Sequence, residues 1–232
     1  MPLHFSQDPL PIANQGERHI AAVLAVDISG SMAGAPIEEL NRGLAAFGEA
    51  LQKDSLACGR AEVCIISFNS SVQTEMSFRP AAEYDAPTLA ASGLTSMNEA
   101  IESALDAIED RKQTYKANGV SYYRPWLFLL TDGAPTDEEK ESATRTRLQN
   151  AISNKKVVYM PMGIGDGADL EKLKSYYPAD AQARPTLQAN TKSFMEAFVW
   201  LSESLSQVSR SDPRITSEVQ LPPTPSTLTV GI

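Results

Sequence analysis

The sequence is short of the groups that hold transition metals or cross-link small folds, with two cysteines and two histidines in 232 residues. Cys58 and Cys64 lack the further sulfur or nitrogen ligands that a zinc site needs. Cys64 lies inside the apolar run AEVCIISF, so the thiols read as reduced, with Cys64 as core packing. His4 precedes the first element and His19 stands at the start of the first strand, where neither is placed to activate a serine. Positive charge is also scarce: 20 Lys and Arg against 29 Asp and Glu give a formal net charge of -9, which argues against a phosphate-backbone partner. No segment approaches the length of a membrane span. The opening MPLHFSQDPLPIANQGERH lacks the basic region and apolar run of a leader. The expectation is a cytoplasmic protein with neither nucleic-acid nor membrane partners.

What is present is a regular alternation of apolar strands and amphipathic helices. HIAAVLAVD is followed by a helix opening near Pro36, whose Ile37, Leu40, Leu44, Phe47 and Leu51 recur at steps of three and four. AEVCIISF and SVQTEMSF are separated by Asn69-Ser70, too short a link for a crossover, and predict an antiparallel hairpin with the second strand at the sheet edge. Ser96 with Glu99, and Thr136 with Glu139, have the spacing of capping boxes and predict two helix starts on either side of the strand PWLFLLTDG. VVYMPMGIG predicts another strand and ADLEKLKSYY a short helix, while ARPTLQA fits a weak strand or a loop. Phe194, Phe198, Leu201, Leu205 and Val208 mark a last helix. The expected fold is α/β: a doubly wound, Rossmann-like, mostly parallel sheet with one antiparallel edge strand and helices on both faces, in strand order 3-2-1-4-5-6. The expected boundaries are an arm over 1–15, one domain over 16–210 and a Pro/Ser/Thr-rich tail over 211–232, where Thr224, Ser226 and Thr227 stand near prolines.

In such a sheet, ligands bind beyond the carboxyl ends of the strands where the strand order reverses. Asp27, Ser29 and Ser31 in VLAVDISGSMAG leave the first strand at that edge, and Asp132 in TDG leaves its neighbour. Thr95 arrives on the loop entering the third-strand crossover helix. Two carboxylates and three hydroxyls without sulfur or imidazole form a hard-ion set that suits Mg2+, with Mn2+ or Ca2+ as alternatives. Alternate positions on a tight loop can aim short side chains at one point, with Gly30 and Gly34 supplying backbone freedom. Taken singly, each group has a plain structural use: Asp27, Ser29 and Ser31 as helix caps, Ser96 beside Thr95 likewise, Asp132 in a turn. GIGDGADLEKL fails the EF-hand spacing and reads as a turn with Asp166 or Asp169 starting a helix, and GSMAG fails the dinucleotide fingerprint.

The ordered set Asp27-x-Ser29-x-Ser31, Thr95 and Asp132 resembles the metal-ion-dependent adhesion site of von Willebrand factor A domains, over roughly residues 16 to 210. The resemblance implies that Ser29, Ser31 and Thr95 bind a divalent ion directly, with Asp27 and Asp132 acting directly or through waters. It implies a binding module rather than an enzyme, in which the ion captures an Asp or Glu carboxylate of a protein partner. The pattern is most similar to compact bacterial cytosolic members of tellurite-resistance and stress clusters, implying an adaptor in such an assembly. A rival reading is an Mg2+-dependent phosphohydrolase or phosphotransferase using Asp27 as nucleophile, although Ser29 occupies the place of the second acid that haloacid-dehalogenase-like enzymes use. A third is a scaffold that has lost its metal.

Overall fold

The computed structural model describes residues 12, 14–165, 167–179, 186–190, 194–211 and 221–225, and the backbone of 228–231. Expectations placed on most of the 1–15 arm, on Asp166, on the start of ARPTLQA and on Ser226 and Thr227 lie outside the described residues. Among the described residues, seven strands form one sheet: β1 (Ile20–Asp27), β2 (Ala61–Phe68), β3 (Val72–Pro80), β4 (Trp126–Thr131), β5 (Val158–Ile164), β6 (Thr186–Ala189) and β7 (Leu228–Gly231). Their order is β3-β2-β1-β4-β5-β6-β7. The pairs β1–β2, β1–β4, β4–β5 and β5–β6 are parallel, and β2–β3 is the expected antiparallel hairpin. β7 is an addition to the expected order, pairing antiparallel with β6 from within the segment read as tail.

Among the described residues, six α-helices connect the strands: α1 (Ala35–Lys53), α2 (Ser55–Arg60), α3 (Met97–Ala117), α4 (Glu141–Ser153), α5 (Leu170–Lys174) and α6 (Phe194–Arg210). Strand alternation sorts β1 between two cores. Ile20, Ala22, Leu24 and Val26 face the core shared with α1 and α6, whereas Ala21, Val23 and Ala25 face that shared with α3. On the first side, Gly43 of α1 has no side chain because the Phe198 ring fills its place: a Cβ there would lie 2.2 Å from a ring carbon. On the second, the buried Glu62 of β2 accepts two hydrogen bonds of 2.6 Å from Arg111 and another from the Tyr115 hydroxyl, with His19 Nδ1 3.6 Å away. Burial raises the Glu62 carboxyl, but His19, Arg111 and Tyr115 outweigh it and hold it down at about 2. This cluster fixes the C-terminal half of α3 to the lower end of the sheet, leaving its N-terminus at the upper end beside the exit of β1.

Two helix starts differ from the capping-box expectation. Ser96 makes no side-chain cap on α3; the cap comes from Asp137, whose carboxylate accepts from the backbone N–H of Asn98 (3.2 Å) and Glu99 (2.9 Å). Thr136 caps nothing either: its hydroxyl accepts from the Thr95 N–H, and a 3-10 turn over Glu138–Lys140 leads into α4. Asp169 does open α5, accepting from the Lys172 N–H at 2.8 Å.

Candidate functional site

The near-continuous apolar run of β1 buries both of its faces, so the strand carries Asp27 to its end with 0% of the side chain exposed. A buried carboxylate needs donors, and Asp27 has two: the Ser29 N–H at 2.8 Å on Oδ1 and the Thr131 hydroxyl at 2.5 Å on Oδ2. Thr131 ends β4, so this bond ties together the exits of the two central strands. Burial pushes the Asp27 carboxyl up from 3.8 to about 6 in spite of the hydrogen bonds from Thr131 and Ser29, and the charge of Asp132 adds to the rise.

Beyond Asp27 the chain turns sharply. Ile28 N–H continues the ladder to the Phe68 carbonyl at 2.9 Å, and Gly30–Met32 forms a 3-10 turn. Gly34, at φ +84°, then starts α1, with Pro36 in its first turn. Gly30 serves close approach: its N–H donates to the Gly93 carbonyl at 2.9 Å, and an added Cβ would lie 3.3 Å from that oxygen. Ser92 N–H returns a bond to the Ile28 carbonyl at 2.8 Å, so the β3–α3 loop is laced to the β1–α1 loop.

The hydroxyls of Ser29 and Ser31 are 3.0 Å apart, and Ser31 Oγ donates to Asp132 Oδ1 at 2.8 Å. The side-chain oxygens of Ser29, Ser31 and Asp132 thus form one line, tied to the buried Asp27 through the Ser29 backbone N–H, that runs from a buried end to an open one. Ser29 is buried, Asp132 half-buried and Ser31 exposed. Thr95 is brought in by its backbone, exchanging hydrogen bonds with Thr136 at 3.1 and 2.9 Å. Its hydroxyl is hydrogen-bonded to none of the other four residues. Thr131 and Asp137 are the members that sequence reasoning missed; the TDG tripeptide was a signal for the first, and no local pattern marks the second.

Among the described residues, no group of three or more His, Cys, Asp or Glu could hold a metal ion. Any cation here would rest on hydroxyls beside two carboxylates, an all-oxygen set that matches hard ions such as Mg2+ or Mn2+. Asp27 is poorly placed as a nucleophile, since it is fully buried and both oxygens already accept hydrogen bonds.

A sequence model of the von Willebrand factor type A domain matches residues 22–196, the span that holds Asp27, Ser29, Ser31, Thr95 and Asp132. The chain belongs to the von Willebrand factor type A family. Solved structures similar to this VWA domain share its fold at low identity. A von Willebrand factor type A protein from Catenulispora acidiphila is 18% identical at a TM-score of 0.58, over 82% of this chain and 43% of that one. The pilus adhesin SpaC of Lactobacillus rhamnosus GG is 12% identical at a TM-score of 0.65, over 84% of this chain and 31% of that one. This VWA domain therefore spans less than half the length of either. The manganese-loaded TRAP protein of Plasmodium vivax is 19% identical at a TM-score of 0.54, over 78% and 74% of the two chains. No curated protein matches the chain. Among the described residues, no helix is long and apolar enough to cross a membrane.

Proposed function

We propose that this VWA domain is a divalent-metal-dependent protein-binding module without turnover of its own. In this reading Ser29, Ser31 and Thr95 bind Mg2+ directly, Asp27 and Asp132 act directly or through waters, and the ion captures an Asp or Glu carboxylate from a partner protein. The observation that carries the reading is the spacing of the donors. Adjacent ligands of an Mg2+ octahedron with bonds of about 2.0–2.1 Å stand roughly 2.8–3.0 Å apart. The Ser29–Ser31 and Ser31–Asp132 oxygens lie 3.0 and 2.8 Å apart. Direct ligands that are mostly neutral leave the ion with positive charge for an incoming carboxylate. Ser31 and Asp132 border the side from which it can approach.

Both cysteines are free, which suits a reducing compartment, and the module is proposed as cytoplasmic. An adaptor role in a bacterial stress or metal-resistance assembly extends the motif resemblance. The test is titration calorimetry with Mg2+ and Mn2+ on the parent and a Ser29→Ala/Ser31→Ala variant, followed by capture of partners in Mg2+ and in EDTA. Saturable binding confined to the parent, with partners that leave in EDTA, supports the reading. Equal heats from both proteins, or partners indifferent to EDTA and to the variant, defeat it.

A further inference from the structure

At the opposite end of the sheet, where the parallel strands begin, three arginines line one polar cavity of about 600 Å3. Arg18 precedes β1, Arg60 is the last residue of α2 and Arg210 the last of α6. Glu17 is the single carboxylate in the lining and pairs with Arg60, and Asp54 pairs with Arg210 from outside it, which leaves Arg18 without an acidic partner among the described residues, in a chain whose net charge is -9.

Helix ends account for part of this. Arginine at a helix C-terminus complements the dipole there, and Arg60 and Arg210 both have acidic partners. Arg60 Nη2 donates to Glu17 at 2.6 Å, and Arg210 Nη2 donates to Asp54 at 2.5 Å. Arg18 has neither excuse. It ends no helix, and among the described residues its contacts are the Tyr122 carbonyl at 3.5 Å and the Tyr123 ring at 5.4 Å. Arg60 links the segments that carry the other two arginines: one of its terminal nitrogens binds Glu17, next to Arg18 in the chain, and the other binds the Ser209 carbonyl at 2.6 Å, next to Arg210 in the chain. Its Nε is buried without a hydrogen-bond partner. An anion in the cavity would give Arg18 the opposite charge that the other two arginines already have beside them.

We propose that this cavity is a binding site for a phosphate monoester, gripped by Arg18, Arg60 and Arg210. A phosphate monoester gives Arg18 the anionic partner it lacks and has further oxygens for Arg60 and Arg210, and guanidinium forks bind phosphate oxygens in pairs. The volume falls within the range of small-molecule sites. The phosphate can come from a nucleotide-sized metabolite or from a phosphorylated side chain of another protein, and the site does not depend on the metal-binding end.

The test is calorimetry on the full chain at low ionic strength in EDTA, so that no metal-held phosphate contributes. Ligands are inorganic phosphate, adenosine monophosphate, and a phosphoserine peptide alongside its unphosphorylated form. The expected result is saturable binding of at least one phosphate ligand, weakened about tenfold or more in Arg18→Gln and in Arg210→Gln. Melting curves of both variants check that the fold persists. Tighter binding of the nucleotide assigns a small-molecule ligand, and tighter binding of the phosphopeptide assigns a protein one. Absence of binding by every phosphate ligand at millimolar concentration overturns the proposal. So does undiminished affinity in folded variants.

Discussion

In the proposed reading, Asp27 is the residue at which folding and metal binding pull in opposite directions. Its carboxyl is raised from 3.8 to about 6 because burial outweighs the hydrogen bonds from Thr131 and Ser29. Below pH 3.8 the folded and unfolded states are both protonated at this position and it costs nothing. Between 3.8 and 6 the unfolded chain ionises first, so stability falls as pH rises. Above 6 the full cost of about 3 kcal/mol is carried. Asp27→Asn removes the charge while keeping a workable geometry: the amide oxygen can accept from Ser29 N–H, and Thr131 can turn its hydroxyl hydrogen toward the Gly133 carbonyl, 3.2 Å away. The expected outcome at pH 7 in EDTA is a variant about 1–3 kcal/mol more stable than the parent, read by thermal or urea unfolding. The same variant should lose the Mg2+-dependent rise in melting temperature. In the parent, that rise should shrink as pH falls through 6, where protons compete with the ion. A less stable Asp27→Asn variant in EDTA would mean that the carboxylate is a net structural asset.

At the scale of elements, the site is assembled by one loop holding the end of another's helix. Asp137 lies in the β4–α4 connection, five residues past Asp132, yet it caps α3 through Asn98 and Glu99. Asn98 is itself fully buried and donates its side-chain amide to Asp137. Asp137→Ala should cost about 1–2 kcal/mol in urea unfolding. It should also speed hydrogen exchange at the Asn98 and Glu99 amides while leaving that of β1 unchanged; unchanged exchange at both would show that the cap is dispensable. Local patterns carry little of this arrangement. The steps of α1 and α6, the two-residue hairpin link and the alternate Asp27, Ser29 and Ser31 are legible because each depends on neighbours within a turn or two. Asp137 reaches back 38 residues to its partner, and Thr131 reaches 104 residues to Asp27, so no window of sequence could reveal either bond. The capping-box spacings of Ser96 and Thr136 were misleading for the same reason, since tertiary partners took over both places. Six-residue α2 escaped because it is too short for a period, although Asp54 caps it through Leu56 and Ala57 N–H.

Across the whole molecule, the sheet is parallel in the middle and antiparallel at both rims. The β3 rim was expected from the hairpin, whereas the β7 rim comes from a Pro-rich stretch whose strand has four residues and no alternation long enough to read. The approach to β7 is fastened as well: Trp200 Nε1 donates to the Pro222 carbonyl at 3.0 Å, and Leu221 packs against the core of α1 and α6. A chain ended after Ser211 should therefore be about 1–3 kcal/mol less stable, with a changed Trp200 fluorescence, and it should self-associate on size-exclusion chromatography through the bared β6. A monomer of unchanged stability would make β7 ornamental. β7 also follows every other described element in chain order. During synthesis β6 must wait with one side unpaired until β7 clears the ribosome, so the nascent domain passes through a stage in which a chaperone, or another nascent copy, can bind the place that β7 will take.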